Sequence, residues 1–239
     1  LATVERVPVA LRNGVQTPKR LDRRAEEALL ARREEILDAA TELFAEHGYS
    51  DAVTQALAER LQVGKGTLYR HFPSKRELFL AAADRVMRRM RESIDAALAG
   101  IDDPLERTVQ GIRSFLAFFA EHPQFVELLI QERALFKDRS QPTYMEHRQR
   151  YAVRWREHYR GLIAAGRVRD IPVERITNVM GDLLYGTIFT NYFAGPRQSP
   201  EAQAQDILDV VFGGILSDAE RQRRTFAKAL DQPRLPPEQ

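Results

Sequence analysis

Fixed positive charge and hydrogen-bond donors, rather than a nucleophile or a pair of carboxylates, are what this chain brings together at close spacing. Arg60, Lys65, Arg70, Lys75 and Arg76 fall within residues 60–76, and no Asp or Glu interrupts them. Thr67, Tyr69 and His71 add donors between the cations, and Gly66 lets another surface approach the backbone closely. Cations at this density hold a polyanion, and the binding they give weakens steeply with salt. Bond-making chemistry finds no comparable support. Gly64-Lys65-Gly66-Thr67 lacks a hydroxyl directly after Lys, and Glu59 stands where a phosphate-binding loop needs its first glycine. Tyr69 fills the third glycine position of a dinucleotide fingerprint, and no strand precedes it. None of His47, His71, His122, His147 and His158 follows a Glu by three residues, so the di-metal signature of helical bundles is missing. No catalytic group, metal ligand or cofactor is therefore assigned.

The segments around these residues read as helix, turn, helix. Leu57, Ala58 and Leu61 recur at helical spacing, and Gln62-Val63-Gly64 has the length of a tight turn. A second helix from about Lys65 must end at Phe72, because Pro73 disfavours helical backbone in the residue before it. Ser74 and Glu77 then form a capping box that opens the next helix. Groove-sized helices of this kind read base edges from their first residues.

The run GKGTLYRHFPSKRELF, with EEILDAATELFAEHGY before it, resembles the signature of the tetracycline-repressor (TetR/AcrR) family of bacterial regulators. The specific likeness covers roughly residues 30–90, and the rest of the chain is similar only in helical layout. It implies double-stranded DNA with a palindromic operator as partner and, most often, repression. It also implies base contacts from Lys65 and Thr67, with Gly66 permitting close approach. Tyr69, His71 and Lys75 match phosphate-holding positions, and Arg70 matches either role. Val53, Thr54 and Ala56 depart from the family pattern, which has an apolar residue at the Thr54 position, and so do Gln62, where the family's turn wants a left-handed backbone, and Gly64, at its usual N-cap. Thr54, shifted by one, is the candidate to supply the missing hydroxyl, beside Gln55.

Composition agrees with an ordinary globular protein. The 239 residues are 44% hydrophobic, contain no cysteine and carry a formal charge of +2. Residues 1–91 hold 17 Lys and Arg against 13 Asp and Glu, so the positive end carries the helix-turn-helix. Neither a signal peptide nor an apolar run near the roughly 20 residues of a membrane span is visible, and a cytoplasmic location is expected.

The expected fold is all-α, about nine or ten helices in two domains. Residues 1–28 read as a flexible basic arm, either groove-reaching or untethered. A helix becomes plausible from Asp22 and ends at Gly48. The DNA-binding domain covers 29–76, a ligand-binding and dimerisation domain 77–217, and a polar tail 218–239. The helix opened by Ser74 is the expected connector, a rod whose tilt changes the spacing of two heads. Helices over residues 173–193 and 201–216, beginning at Val173 and Glu201 and ending at Phe193 and Leu216, are apolar on more than one face. They are expected to form a homodimer by four-helix packing. By resemblance the second domain takes a small effector, apolar or aromatic, with Phe119, Tyr151, Trp155, Tyr159, Phe189 and Tyr192 as pocket wall. Glu127, Glu132 and Asp182 leave room for a cation. The competing functions are a nucleic-acid-binding helical protein without sequence preference and, further off, a helical-bundle enzyme.

Overall fold

The computed structural model describes residues 20–223, with side chains from residue 26 onward. Most of the expected basic arm and the end of the tail lie outside the described residues. The helices run in the order α1 Arg20–Asp51, α2 Thr54–Arg60, α3 Lys65–His71, α4 Lys75–Ala97, α5 Pro104–Glu121, α6 Pro123–Leu135, α7 Thr143–Ala164, α8 Val173–Ala194 and α9 Pro200–Ile215. Residues 20–28, expected within the arm, already belong to α1. Among the described residues the only β pairing is an isolated bridge between Val168 and Leu216.

Helix boundaries follow from local chemistry. The Ser74 hydroxyl accepts from the backbone N–H of Glu77 at 3.1 Å, and Asp103 accepts from that of Glu106 at 2.9 Å with Pro104 behind it. Such caps contribute about 1 kcal/mol each. Near the end of α1, Gly48 takes φ 69°, a left-handed conformation that swings the chain towards α2.

The α4 rod, 23 residues and roughly 35 Å long, is shared by both halves of the molecule. Its first turns bury Leu78, Phe79, Ala82 and Val86 against Ile36, Leu37, Ala40 and Phe44 of α1. Arg85 pairs with Asp38 at 2.7 Å and Arg89 with Glu42 at 2.9 Å along the solvent edge of that seam. Farther along, α4 packs on α5, α6 and α7, and α5 lies on α9. No solvent layer divides the halves. Rings of Phe44, Tyr49, Phe79 and Phe136 meet at the junction, Tyr49 and Phe136 at 5.3 Å between centroids. The backbone N–H of Tyr49 donates to Gln131 of α6 at 2.8 Å, Gln131 donates to Glu127 at 2.7 Å, and the Tyr192 hydroxyl of α8 bonds the same carboxylate.

The segment after α9 is polar in sequence yet packs back on the body. Residues 218–223 are helical, and Glu220 is 2% exposed. Arg167 donates to it at 3.0 Å and also pairs with Asp103, tying the chain end to the start of α5. An acidic residue in a polar stretch carries no sign of burial until its arginine is in place.

Candidate nucleic-acid interface

The turn between α2 and α3 is a Schellman motif. Val63 N–H donates to Ala58 O at 2.9 Å and Gln62 N–H to Glu59 O at 3.0 Å. Gln62 has φ 53°, the only positive φ outside glycine among the described residues. The left-handed backbone expected there is present on a residue that resists it. Gly64 caps α3 with extended backbone and no side chain, and Thr67 N–H donates to its carbonyl at 2.8 Å. Leu68 is fully buried and Phe72 nearly so, so α3 is anchored by one face. Arg33 lies 4.9 Å over the Phe72 ring, and Arg32 donates to Leu61 O at 2.7 Å, fixing the far end of the turn from α1.

The opposite face of α3 is open. Lys65, Gly66 and Arg70 are exposed, Thr67, Tyr69 and His71 are half-buried, and Gln55 is exposed on α2, where it donates to Glu59 at 2.9 Å. A side chain at Gly66 would meet no atom within 4 Å, so nothing inside the chain requires glycine there. Lys75 sits beside this face, half-buried, with its ammonium 3.1 Å from Ser50 O and 4.9 Å over the Tyr49 ring. Among the described residues no carboxylate pairs with Lys65, Arg70 or Lys75. Arg76 differs, since it pairs with Asp138. Burial, then the charges of Arg70, Arg33 and Arg32, hold the His71 pKa below its ordinary value, so at neutral pH it offers an N–H without charge.

Thr54 departs from the role expected of it. It is buried, and its hydroxyl lies 3.1 Å from the Tyr69 hydroxyl, so it braces α2 against α3 instead of facing a phosphate. Val53 is the N-cap of α2 and makes no side-chain capping bond. Thr54 stands where the family pattern has an apolar residue, and the inward face that such a position occupies takes the hydroxyl with it.

A second feature lies in the body. A cavity of about 110 Å³ opens between α4, α5, α7 and α8, lined by Met87, Met90, Ile112, Phe115, Trp155 and Leu184 among others. Tyr151, Trp155 and Tyr159 are among its lining residues. Phe119 and Tyr192 instead border a separate space with Pro123 and Ile188, and Phe189 borders a surface groove with Leu129 and Phe193. Two residues that the sequence reading passed over shape the cavity. A Cβ on Gly111 would lie 3.0 Å from the Trp155 indole, and one on Gly181 would lie 2.6 Å from the Arg148 guanidinium. Glycine inside a helix costs about 1 kcal/mol relative to alanine, and that cost was the available signal.

Most polar groups in the lining have partners. Thr108 meets His158 at 3.0 Å, His147 meets Asp84 at 2.7 Å, and Thr177 donates to Val173 O at 3.2 Å. Arg148 donates to Asp182 at 2.7 Å. The Tyr151 hydroxyl is buried and makes no hydrogen bond. Burial, then the nearby charge of Asp95, pushes its pKa up to about 12, so it is a neutral donor. The cation site left open by the sequence does not form at this cavity. Asp182 is paired with Arg148, Glu127 is bonded to Gln131 and Tyr192, and Glu132 is buried against Thr143.

A short helix presented on a rigid turn, with unpaired cations along its outer face, makes this a helix-turn-helix protein that binds specific DNA sequences and regulates transcription. Residues 36–82 match the model of bacterial regulatory proteins of the tetR family, and residues 101–215 match that of the tetracyclin repressor-like C-terminal domain. The chain is 32% identical over 202 residues to the HTH-type transcriptional repressor AcnR of Corynebacterium diphtheriae, covering 79% of this chain and 94% of that protein. It belongs to the TetR family of transcription regulators. Its likeness to the HTH-type transcriptional repressor KstR of Mycolicibacterium smegmatis, 45% over 75 residues, covers 31% of this chain and 37% of that one. Two solved structures share the fold. A TetR-family regulator from Pectobacterium atrosepticum superposes with a TM-score of 0.65 at 22% identity, covering 82% and 98% of the two chains. The ketosteroid regulator KstR2 of Mycobacterium tuberculosis gives 0.57 at 22% identity, covering 78% and 96%. The family consists of regulators, not enzymes. No described helix is long and apolar enough to cross a membrane.

Proposed function

We propose that this chain is a cytoplasmic, dimeric repressor that reads a palindromic operator through α3 and releases it when a small molecule enters the α4–α5–α7–α8 cavity. The observation that carries the reading is Gly66, a glycine that no internal contact requires, on the exposed edge between Lys65 and Thr67. A backbone left bare without internal cause serves an external surface, and the major groove suits its size and the charges around it. Lys65 and Thr67 then address base edges, Arg70, His71 and Lys75 address phosphates, and Gln55 reaches from α2. Replacing Gly66 with Ala should raise the stability of the free protein by up to about 1 kcal/mol through helix propensity. The same change should weaken operator binding at least tenfold, read by fluorescence anisotropy on operator and random duplexes. Unchanged operator affinity in the stabilised variant would refute the reading.

Dimerisation is supported by the outer faces of α8 and α9. Val179, Leu183, Phe193 and Val210 are 50%, 37%, 73% and 75% exposed. Gly186, Gly213 and Gly214 lie exposed on the same two helices with nothing within 4 Å of a Cβ, which permits close backbone approach by a partner. Two heads related by a twofold axis match half-sites about one helical turn, ~34 Å, apart or a multiple of it. Sedimentation of the folded protein should show a dimer at micromolar concentration. A monomer that still binds a single operator tightly would overturn that assembly.

A further inference from the structure

Beside the main cavity lies a smaller chamber of about 30 Å³, and the two share Ile94, Tyr151 and Trp155 as a common wall. Their chemistry is opposite. The main cavity is mostly apolar, whereas Asp95, Arg107, Arg154 and His158 line the chamber. Arg154 neutralises Asp95 at 2.6 Å. Arg107 donates only to the carbonyls of Leu98 and Ile101, each at 3.0 Å, and no described carboxylate pairs with it. With His158 neutral, the chamber carries one uncompensated positive charge. Burial, followed by the charge of Arg107, lowers the His158 pKa. The Tyr151 hydroxyl stands at the wall between the spaces, buried and without a hydrogen bond, with the Asp95 carboxylate that Arg154 holds as its nearest acidic neighbour. A donor left in that state costs free energy that a ligand oxygen would recover.

We propose that the effector is an amphipathic monocarboxylate, its apolar body in the main cavity and its carboxylate turned to the chamber, accepting from Tyr151 beside the charges of Arg107 and Arg154. This rests on the effector reading above and adds the ligand's chemical class. The half-buried Trp155 indole, seated against Gly111, is the side chain whose rotation joins the two spaces. An ammonium end group is disfavoured by the net charge, and a wholly apolar molecule leaves Tyr151 unsatisfied.

The full chain should be titrated with cyclohexaneacetate, cyclohexaneacetamide and 2-cyclohexylethylammonium, reading Trp155 fluorescence and heat of binding. The carboxylate should bind about tenfold or more tightly than the amide, and the ammonium more weakly still. Tyr151→Phe removes a hydroxyl that makes no internal bond, so the variant should fold, and its carboxylate affinity should fall at least about tenfold, the range for hydrogen bonds to a charged group. Arg154→Gln should narrow the carboxylate–amide gap. Equal binding of amide and carboxylate, preference for the ammonium, a Tyr151→Phe variant that binds the carboxylate as wild type does, or no binding by any probe at millimolar concentration would each overturn the proposal. Operator release is measured separately on the same samples. Tyr151-dependent carboxylate binding without release refutes the effector reading and leaves the ligand class standing; release that ignores Tyr151 does the reverse.

Discussion

The charges facing outward on the DNA-reading head set how steeply binding must depend on salt. Arg70 and Lys75 have no carboxylate partner among the described residues, so each can neutralise one phosphate. A dimer presents two heads and thus about four such charges, and each neutralised phosphate contributes about −0.9 to the slope of log K against log salt. The expected slope is about −3.5, equivalent to roughly a hundredfold loss of affinity between 50 and 200 mM salt. Arg70→Ala or Lys75→Ala removes two contacts per dimer and should flatten the slope to about −2. Arg76→Ala is the internal comparison, because that cation is paired with Asp138 and packs 4.9 Å over Phe136. Its slope should stay within about half a unit of wild type. Anisotropy titrations across five salt concentrations supply the measurement. A wild-type slope shallower than about −2, or an Arg76 variant flattened as much as the Lys75 variant, would refute the assignment of these charges to phosphate.

Two further outcomes follow from strain and burial. Gln62→Gly relieves a left-handed backbone on a residue with a Cβ, and after the entropy that glycine adds to the unfolded chain it should raise stability by about 0.5–1 kcal/mol, read from urea midpoints; a loss of stability would contradict the strain. Glu132 is 1% exposed, its Oε1 accepts from the Thr143 N–H and hydroxyl, its Oε2 has no hydrogen bond, and burial raises its pKa above 4.5. The folded state therefore binds this proton at a pH where the unfolded chain has released it, so this group's contribution improves as pH falls through the raised pKa towards 4.5. Relative to Glu132→Gln, wild type should gain stability as pH falls towards 4.5, and parallel pH profiles for the two proteins would exclude the effect.

What the sequence made legible is local, and what it hid depends on neighbours. Pro73, Ser74, Asp103 and Gly48 mark helix ends because caps and forbidden backbone angles act within a few residues. Gln62 and Gly64 could be placed in the turn for the same reason. The apolar stripes of α8 and α9 show that both helices are covered on more than one side, but periodicity does not say by what. That gap explains the aromatic residues. Phe119, Phe189 and Tyr192 share helices with cavity-facing groups yet sit on other faces, and a stripe gives an azimuth only relative to its own helix. Tyr151, Trp155 and Tyr159 come from one helix and keep their relation. Thr54 was misjudged because its hydroxyl suggested a surface role, whereas its partner is Tyr69, fifteen residues on. Gly111 and Gly181 were readable as costs but not as cavity walls, since the side chains that fill their space come from α7.

The bond from Gln131 to the Tyr49 backbone has a mechanical consequence. A head carried only by α4 would move as a flag on a pole, free to swing in any direction. This head is fastened a second time, where Gln131 meets Tyr49 and Phe136 packs on Tyr49 and Phe79. Two fastenings define an axis, and a rigid piece so held retains one easy motion, a roll about the line between them. Motion that carries α4 and α6 together carries the head with them, and sliding one past the other loads the Gln131–Tyr49 bond and the ring junction.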